Sequence, residues 1–432
     1  AVSAMRGAVL VGLRRGSRSF CMQRQKAWMT AMEQAAVRRA ATQRALKEPA
    51  EANGTTPGSP TGSPPGSPPG FGTTPSSPAG ESEHSKTAAK PAMVARINKE
   101  RLKALLNAQI TEKALQEPTP FTLRQILKSS QDPDSLFTLI HRELPVRFAL
   151  RIKWVENING WEQNKYLKNI HRVYTQSFRD LGMSQFVKTD YRKVLGTIKR
   201  RHSFVVTNLV AGVRQAKEEG FSEEMANQFL DRFFTCRIGT EMLSSQYLAL
   251  ARPGQNDGII ARECIPMDVI ASAAEDAVHI CKRAKGGAPP VDIINVGPEH
   301  LPFIPQYLHY IMFEILKNSL RAVYDQTQRQ GRKTEWGKDD PAPVTVTISG
   351  DENSLAIRLS DRGGGIPEQH MDRLFSYLFT TADAVDPDSN EADESPMAGF
   401  GCGLPLSRAY AKYLGGNLYL ESCYGHGTDV YL

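Results

Sequence analysis

The spacing of apolar residues changes once along this chain of 432 residues, and that change restricts the fold more than any other feature. Between about 94 and 285 apolar residues recur at helical spacing, in stretches such as Leu136-Phe137-Leu139-Ile140, Phe148-Ile152-Val155 and Phe229-Leu230-Phe233-Phe234. Residues three and four apart share one face of a helix, so these stretches must pack on each other, which predicts a helical bundle. From 291 onward the period shifts. Val344, Val346 and Ile348 alternate with Thr345, Thr347 and Ser349, and Leu355, Ile357 and Leu359 alternate with polar partners across the turn Gly350-Asp351-Glu352-Asn353. Leu418, Leu420, Val430 and Leu432 predict two more strands, and helices are expected over 306–326, 367–378 and 404–414. The fold class is therefore α+β in two domains: a helical, four-helix-bundle-like domain over 93–288, then an α/β sandwich with a mixed sheet over 289–432.

The chain carries 53 Lys+Arg and 46 Asp+Glu, a formal charge of +7 that suggests an anionic partner until its position is read. Residues 1–48 hold ten basic and two acidic residues, which leaves the rest at a net −1. With the excess confined to one terminal segment, neither nucleic acid nor a membrane surface is expected as partner of the folded body. A segment rich in Arg, Ala, Ser and Gln that can wind into a basic amphipathic helix has the composition of an organellar presequence, so 1–48 predicts import into the mitochondrial matrix. Between 53 and 80, Pro, Gly, Ser and Thr occupy 25 of 28 positions, and Phe71 is the one large apolar residue, too little to offset the entropy of ordering. Residues 49–92 are accordingly expected to be linker. The apolar run Ala8-Val-Leu-Val-Gly-Leu13 is too short to span a bilayer. Six cysteines without CxxC spacing support neither a zinc site nor a disulfide framework.

Four short features carry the chemistry. On a helix Glu314 and Asn318 stand one turn apart on one face, a carboxylate beside an amide oxygen able to ligate a hard cation. Asp361, with Gly363, Gly364 and Gly365, follows a strand, where a carboxylate can accept from an exocyclic amine while glycines let the backbone approach a planar ring. Gly399, Gly401 and Gly403 open a helix and would bare N–H groups to a polyphosphate, after a polar stretch over 383–395 that suggests a lid. The turn Gly425-His426-Gly427-Thr428 would place Thr428 in support of Asp361. Each feature alone also suits a solvated helix face or an ordinary turn. No GxxxxGK[ST] loop and no HRD or DFG set is present.

In this order the four features resemble the nucleotide site of the GHKL superfamily, which contains gyrase, heat-shock chaperone, histidine kinase and MutL ATPases. The stretch Arg142-Glu-Leu-Pro-Val-Arg147, the block Phe229-Leu-Asp-Arg-Phe233 with Arg237-Ile-Gly239, and Gly403-Leu-Pro-Leu-Ser-Arg-Ala-Tyr410 resemble the mitochondrial α-keto acid dehydrogenase kinases over about 93–432. Leu301-Pro-Phe-Ile-Pro305, Phe379-Thr-Thr-Ala382, Tyr413-Leu-Gly-Gly416 and Gly427-Thr-Asp-Val-Tyr-Leu432 are more similar to the branched-chain member than to the pyruvate members. Pyruvate-type kinases usually have a His four residues before the motif Glu. Here that position is Tyr310, with His309 one step earlier.

The resemblance implies a serine kinase that phosphorylates the α subunit of the branched-chain α-keto acid dehydrogenase and inactivates the complex, with pyruvate dehydrogenase as the alternative. It implies Glu314 as general base, Asn318 as Mg²⁺ ligand, and Asp361 and Thr428 at adenine. ATP would further meet Lys317, Gly363, Gly365, Thr380, Thr381, Gly399, Gly401, Gly403 and Leu404, and K⁺ would sit among Leu374, Ser376, Phe379 and Gly401. A lipoyl-bearing acyltransferase core and a second copy of the chain would be partners. The residues alone leave open whether Glu314 activates a serine or a water, so a GHKL ATPase, a histidine kinase using His141 and a non-catalytic docking module stand as competing readings.

Overall fold

A computed structural model describes residues 98–183, 188–251, 258–331, 341–351, 354–381 and 401–432. They belong to a compact unit spanning Ile97–Leu432. The expected presequence, the linker, the lid stretch over 383–395 and Gly399 lie outside the described residues.

Seven helices come first: α1 (Lys99–Ala114), α2 (Leu123–Ser130), α3 (Pro133–Glu156), α4 (Lys165–Met183), α5 (Lys188–Arg201), α6 (Val205–Glu218) and α7 (Glu223–Leu250). Their starts are written locally. Thr122 and Gln125 close a capping box on α2, Asp132 accepts from the N–H groups of Asp134 and Ser135 ahead of α3, and Ser222 accepts from Met225 ahead of α7. Helices α3, α4, α6 and α7 surround one core in which Ile140, Phe148, Ile152, Leu167, Tyr174, Leu209, Leu230 and Phe233 are fully buried. Burial of one such side chain is worth about 1.5–3 kcal/mol, so the expected apolar stripes account for the bundle.

Next come β1 (Ala261–Cys264), α8 (Pro266–Lys285), β2 (Val291–Asn295), β3 (Leu301–Phe303), α9 (Pro305–Arg329), β4 (Val344–Asp351), β5 (Ser354–Ser360), α10 (Glu368–Met371), α11 (Gly403–Tyr413), β6 (Tyr419–Cys423) and β7 (Gly427–Tyr431). A five-stranded sheet runs in the order β2-β4-β5-β7-β6, with β2 parallel to β4 and the other pairs antiparallel. The expected alternation sets the register: Val346 faces Leu359, Ile348 faces Ile357 and Leu359 faces Val430. Their inward side chains pack on Leu308, Ile311, Ile315 and Leu320 of α9 and on Ala273, Ala277 and Cys281 of α8. Helix α8, grouped with the helical segment by its periodicity, thus shares the core of the sheet.

Two local expectations differ from the structure. A short antiparallel pair, β1 with β3, interrupts the region read as helical, because Ala261-Arg-Glu-Cys264 is too short to show a period. The helix expected over 367–378 is one turn long, ending at Met371. Beyond it the chain is captured by α7: Arg373 pairs with Glu223, the N–H of Tyr377 donates to Asn227 at 2.7 Å, and the Tyr377 ring stacks on Phe234 at 5.4 Å. Leu378 then takes φ +67°, which no helix allows.

Candidate active site

Helix α9 carries the first half of the site. Its N1 residue is Pro305, preorganised for a helix start, and Leu308, Ile311, Ile315 and Leu316 bury one face against the sheet, so Glu314, Lys317 and Asn318 are carried toward its free side. Asn318 is exposed, whereas Glu314 and Lys317 keep only 14% and 10% of their side chains exposed. Lys317 Nζ donates to Glu314 Oε1 at 2.9 Å and lies 5.4 Å from the centre of the Phe313 ring.

The other oxygen of Glu314 abuts the backbone of Gly403, where any Cβ would collide with the carboxylate. Gly403 opens α11, whose N-cap Cys402 supplies no side-chain hydrogen bond, and Pro405 in the same turn has no N–H. The N–H groups of Gly403 and Leu404 therefore lie at a positive helix end suited to an anion. Gly401, at φ +72°, packs on the backbone of Leu378 and Phe379, and its carbonyl accepts from the N–H of Leu378 at 2.9 Å. The glycine loop, Glu314 and the segment leading into Thr380 and Thr381 thereby converge. Thr380 is half-buried and Thr381 exposed.

A second cluster forms around Asp361, which follows β5 and is 8% exposed. Oδ1 accepts from the N–H of Gly363 at 2.9 Å and from that of Thr428 at 3.2 Å, while Oδ2 accepts from the Ser319 hydroxyl at 2.7 Å. Burial pushes this carboxyl above its ordinary range, and those three hydrogen bonds offset only part of the rise. A carboxylate oxygen accepts more than one donor, so Oδ2 retains capacity for an exocyclic amine. Gly363 lies against Ala322 and Val323 of α9, and Gly365 against the carbonyl of Cys423, so the glycine turn is held between helix and hairpin. Thr428 shares a hydrogen bond of 3.0 Å with Ser422, whose hydroxyl also accepts from the N–H of Ile366 at 2.8 Å.

The expected residues Glu314, Lys317, Gly401, Gly403 and Leu404 are thus brought together, as are Asp361, Gly363, Gly365 and Thr428. Leu374 and Ser376 lie on the segment docked to α7, with backbone N–H groups bonded to Met371 and Arg373. His309 points elsewhere, with Nε2 3.0 Å from Asp276 on α8, and does not orient Glu314. Cys402 is 7% exposed and burial lifts its thiol to about 11, which suits a filler rather than a redox sensor. Tyr310, beside Glu314, is held protonated by burial and by that carboxylate's charge. Ser319 and Ser422 escaped the motif reading. Ser319 announces itself only as a small hydroxyl on an otherwise apolar helix face.

With the Glu314 carboxylate at the middle of α9 and the support for Asp361 one residue beyond Asn318, the α/β half belongs to the class of ATP-binding domains shared by histidine kinases and gyrase. Residues 304–432 match the family described as histidine kinase-, DNA gyrase B-, and HSP90-like ATPase, and residues 120–275 match that described as mitochondrial branched-chain alpha-ketoacid dehydrogenase kinase. A mitochondrial [pyruvate dehydrogenase (acetyl-transferring)] kinase of Arabidopsis thaliana is 35% identical over 335 residues, 73% of this chain and 89% of that one. The mitochondrial isozyme 4 of the same kinase from Ictidomys tridecemlineatus is 32% identical over 344 residues, 72% of this chain and 80% of that one. The human isozyme 4 is 31% identical over 339 residues with the same coverage. The chain belongs to the mitochondrial dehydrogenase kinase family: it is an ATP-dependent protein kinase of the mitochondrion. Among the described residues, no helix is long and apolar enough to cross a membrane.

Proposed function

We propose that this kinase transfers the γ-phosphate of ATP to a serine on the α subunit of an α-keto acid dehydrogenase and so switches that complex off. The observation that supports this best is the contact between the Glu314 carboxylate and Gly403, which sets a base beside a helix end suited to phosphate. Glu314 takes the proton of the serine hydroxyl as its oxygen bonds to the γ-phosphorus. The bond from that phosphorus to the bridging oxygen breaks, and ADP leaves with the electron pair.

Asn318 fits a Mg²⁺ ligand, since its amide is exposed one turn beyond Glu314. Among the described residues no group of three or more His, Cys, Asp or Glu gathers, so a divalent ion held here would take its other ligands from phosphate and water. Bound Mg²⁺ would offset charge on the phosphates. Asp361 and Thr428 hold adenine in this reading, Thr380 and Thr381 close over the phosphates, and carbonyls of Leu374, Ser376, Phe379 and Gly401 are the proposed K⁺ ligands. Residues 1–48 serve import, 49–92 act as a tether, 93–288 dock the enzyme on a lipoyl-bearing core, and 289–432 catalyse as part of a homodimer.

The relatives' names favour pyruvate dehydrogenase as substrate. The branched-chain complex is the second reading, supported by Leu301–Phe303 with its flanking residues, by 413–416 and 427–432, and by the description of the family matching 120–275. Labelled Mg-ATP offered with each purified complex separates them. Label on a serine of the pyruvate α subunit supports the first, label on the branched-chain α subunit the second, and phosphate release with neither labelled returns the site to an ATPase.

A further inference from the structure

We propose that Lys317 is a nucleotide-operated latch on the catalytic base, holding Glu314 in an ion pair until a polyphosphate draws the ammonium away. The inference deepens the kinase reading and rests on it.

Its basis is the pairing of the Glu314 carboxylate with a buried ammonium. Oε1 accepts from Lys317 Nζ at 2.9 Å, and the other oxygen is pressed against Gly403. A serine hydroxyl that delivers its proton to Oε1 must do so beside an ammonium, whose charge repels the arriving proton. Lys317 is 8% exposed, and among the described residues Glu314 is the one carboxylate within ion-pair distance of it. Among the described residues around Glu314, Tyr310 and the Cys402 thiol are held neutral by burial, His309 is paired with Asp276, and the charge of Arg214 acts on Cys402.

The phosphates of ATP, placed at the Gly403–Leu404 helix end, bring several negative charges to bear against the single charge of Glu314. The four-carbon stem of lysine lets Nζ swing between such partners without moving the backbone. Binding of nucleotide and release of the base then become one event. An enzyme built this way does not expose a free base to its protein substrate before ATP is in place.

Competition for one ammonium makes a prediction opposite in sign to a fixed structural ion pair. Equilibrium binding of Mg-ATP is measured, with no dehydrogenase present, for the full chain and for Glu314→Gln, Lys317→Met and the double variant, each checked for a native circular dichroism spectrum. Glu314→Gln frees Lys317 and is expected to tighten Mg-ATP by about 3- to 10-fold. Lys317→Met is expected to weaken it by about 10-fold, and in that background Glu314→Gln is expected to change nothing. Unchanged or weaker binding by Glu314→Gln overturns the latch. Tightening that persists without Lys317 also overturns it, because simple repulsion between Glu314 and phosphate would then suffice. Should Glu314→Gln not fold, Glu314→Asp, whose shorter side chain falls short of Nζ and loosens the ion pair, is expected to tighten binding in the same direction, and its failure to do so counts equally against the latch. Because binding is read without a protein substrate, an unlabelled dehydrogenase would refute the kinase reading while leaving this comparison decisive for Lys317.

Discussion

Ser319 offers the sharpest test of how adenine is held. Its hydroxyl is 4% exposed and donates to Asp361 Oδ2 at 2.7 Å, the one side-chain donor on a carboxylate otherwise held by two backbone N–H groups. Ser319→Ala removes a hydrogen bond to a charged group, worth about 1.5–3 kcal/mol, from a site too closed for water to replace it fully. If Asp361 must be ionised and correctly aimed to accept from the exocyclic amine, Mg-ATP should bind about 10- to 100-fold more weakly. The pH dependence supplies a second, signed readout. Burial already holds the Asp361 carboxyl above its ordinary range, and the Ser319 hydroxyl is one of the groups pulling it back. Without that hydroxyl the carboxyl rises further, so as pH falls the variant should lose nucleotide affinity at a higher pH than the wild type. Titration calorimetry across neutral to acid pH reads both effects. A variant with wild-type affinity and an unshifted acid edge would mean that Asp361 does not recognise the nucleotide through its ionised form.

Two other perturbations follow from the same geometry. Gly403→Ala places a methyl group on the Glu314 carboxylate, so phosphotransfer should fall by about 100-fold or more with the fold retained, a combination that a rate measurement paired with thermal unfolding detects. His202 is 6% exposed, and burial together with the positive charges of Arg151, Arg237 and Arg201 lowers it to about 2. A depressed imidazole contributes stability that is present above its unfolded value near 6.5 and is lost as pH falls toward the folded one. Urea denaturation at pH 7 and 5.5 should therefore show a loss larger by about 1 kcal/mol in the wild type than in His202→Gln, and parallel losses would exclude a neutral buried imidazole.

The strand pair β4–β5 could be read from sequence because its inward residues alternate without interruption, and the observed facing of Ile348 with Ile357 is the register that buries both. Helix α9 was expected over 306–326 and runs Pro305–Arg329, its period sustained by Leu308, Ile311, Ile315 and Leu320. The one-turn α10 could not be foreseen. Phe375 and Leu378 look helical by spacing, but the conformation there is decided by partners on α7 far away in sequence. Within the site, Glu314, Asp361 and Gly403 stood out because glycine and acid clusters are rare in strands and apolar helices. Ser319 did not, since one hydroxyl has no spacing to betray it. The pairing of Lys317 with Glu314 follows from an i,i+3 step on a helix, yet only the close approach at Gly403 shows that the carboxylate faces the start of α11.

The role of Glu314 as base can be measured in a single turnover. Wild type and Glu314→Gln, both saturated with labelled Mg-ATP, are mixed with the dehydrogenase α subunit and quenched over milliseconds to minutes. Glutamine preserves the shape beside Gly403 and removes the proton acceptor, so label on serine should appear at least about 100-fold more slowly while nucleotide remains bound. Transfer at the wild-type rate with the amide in place would contradict the assignment of Glu314 as the group that receives the serine proton.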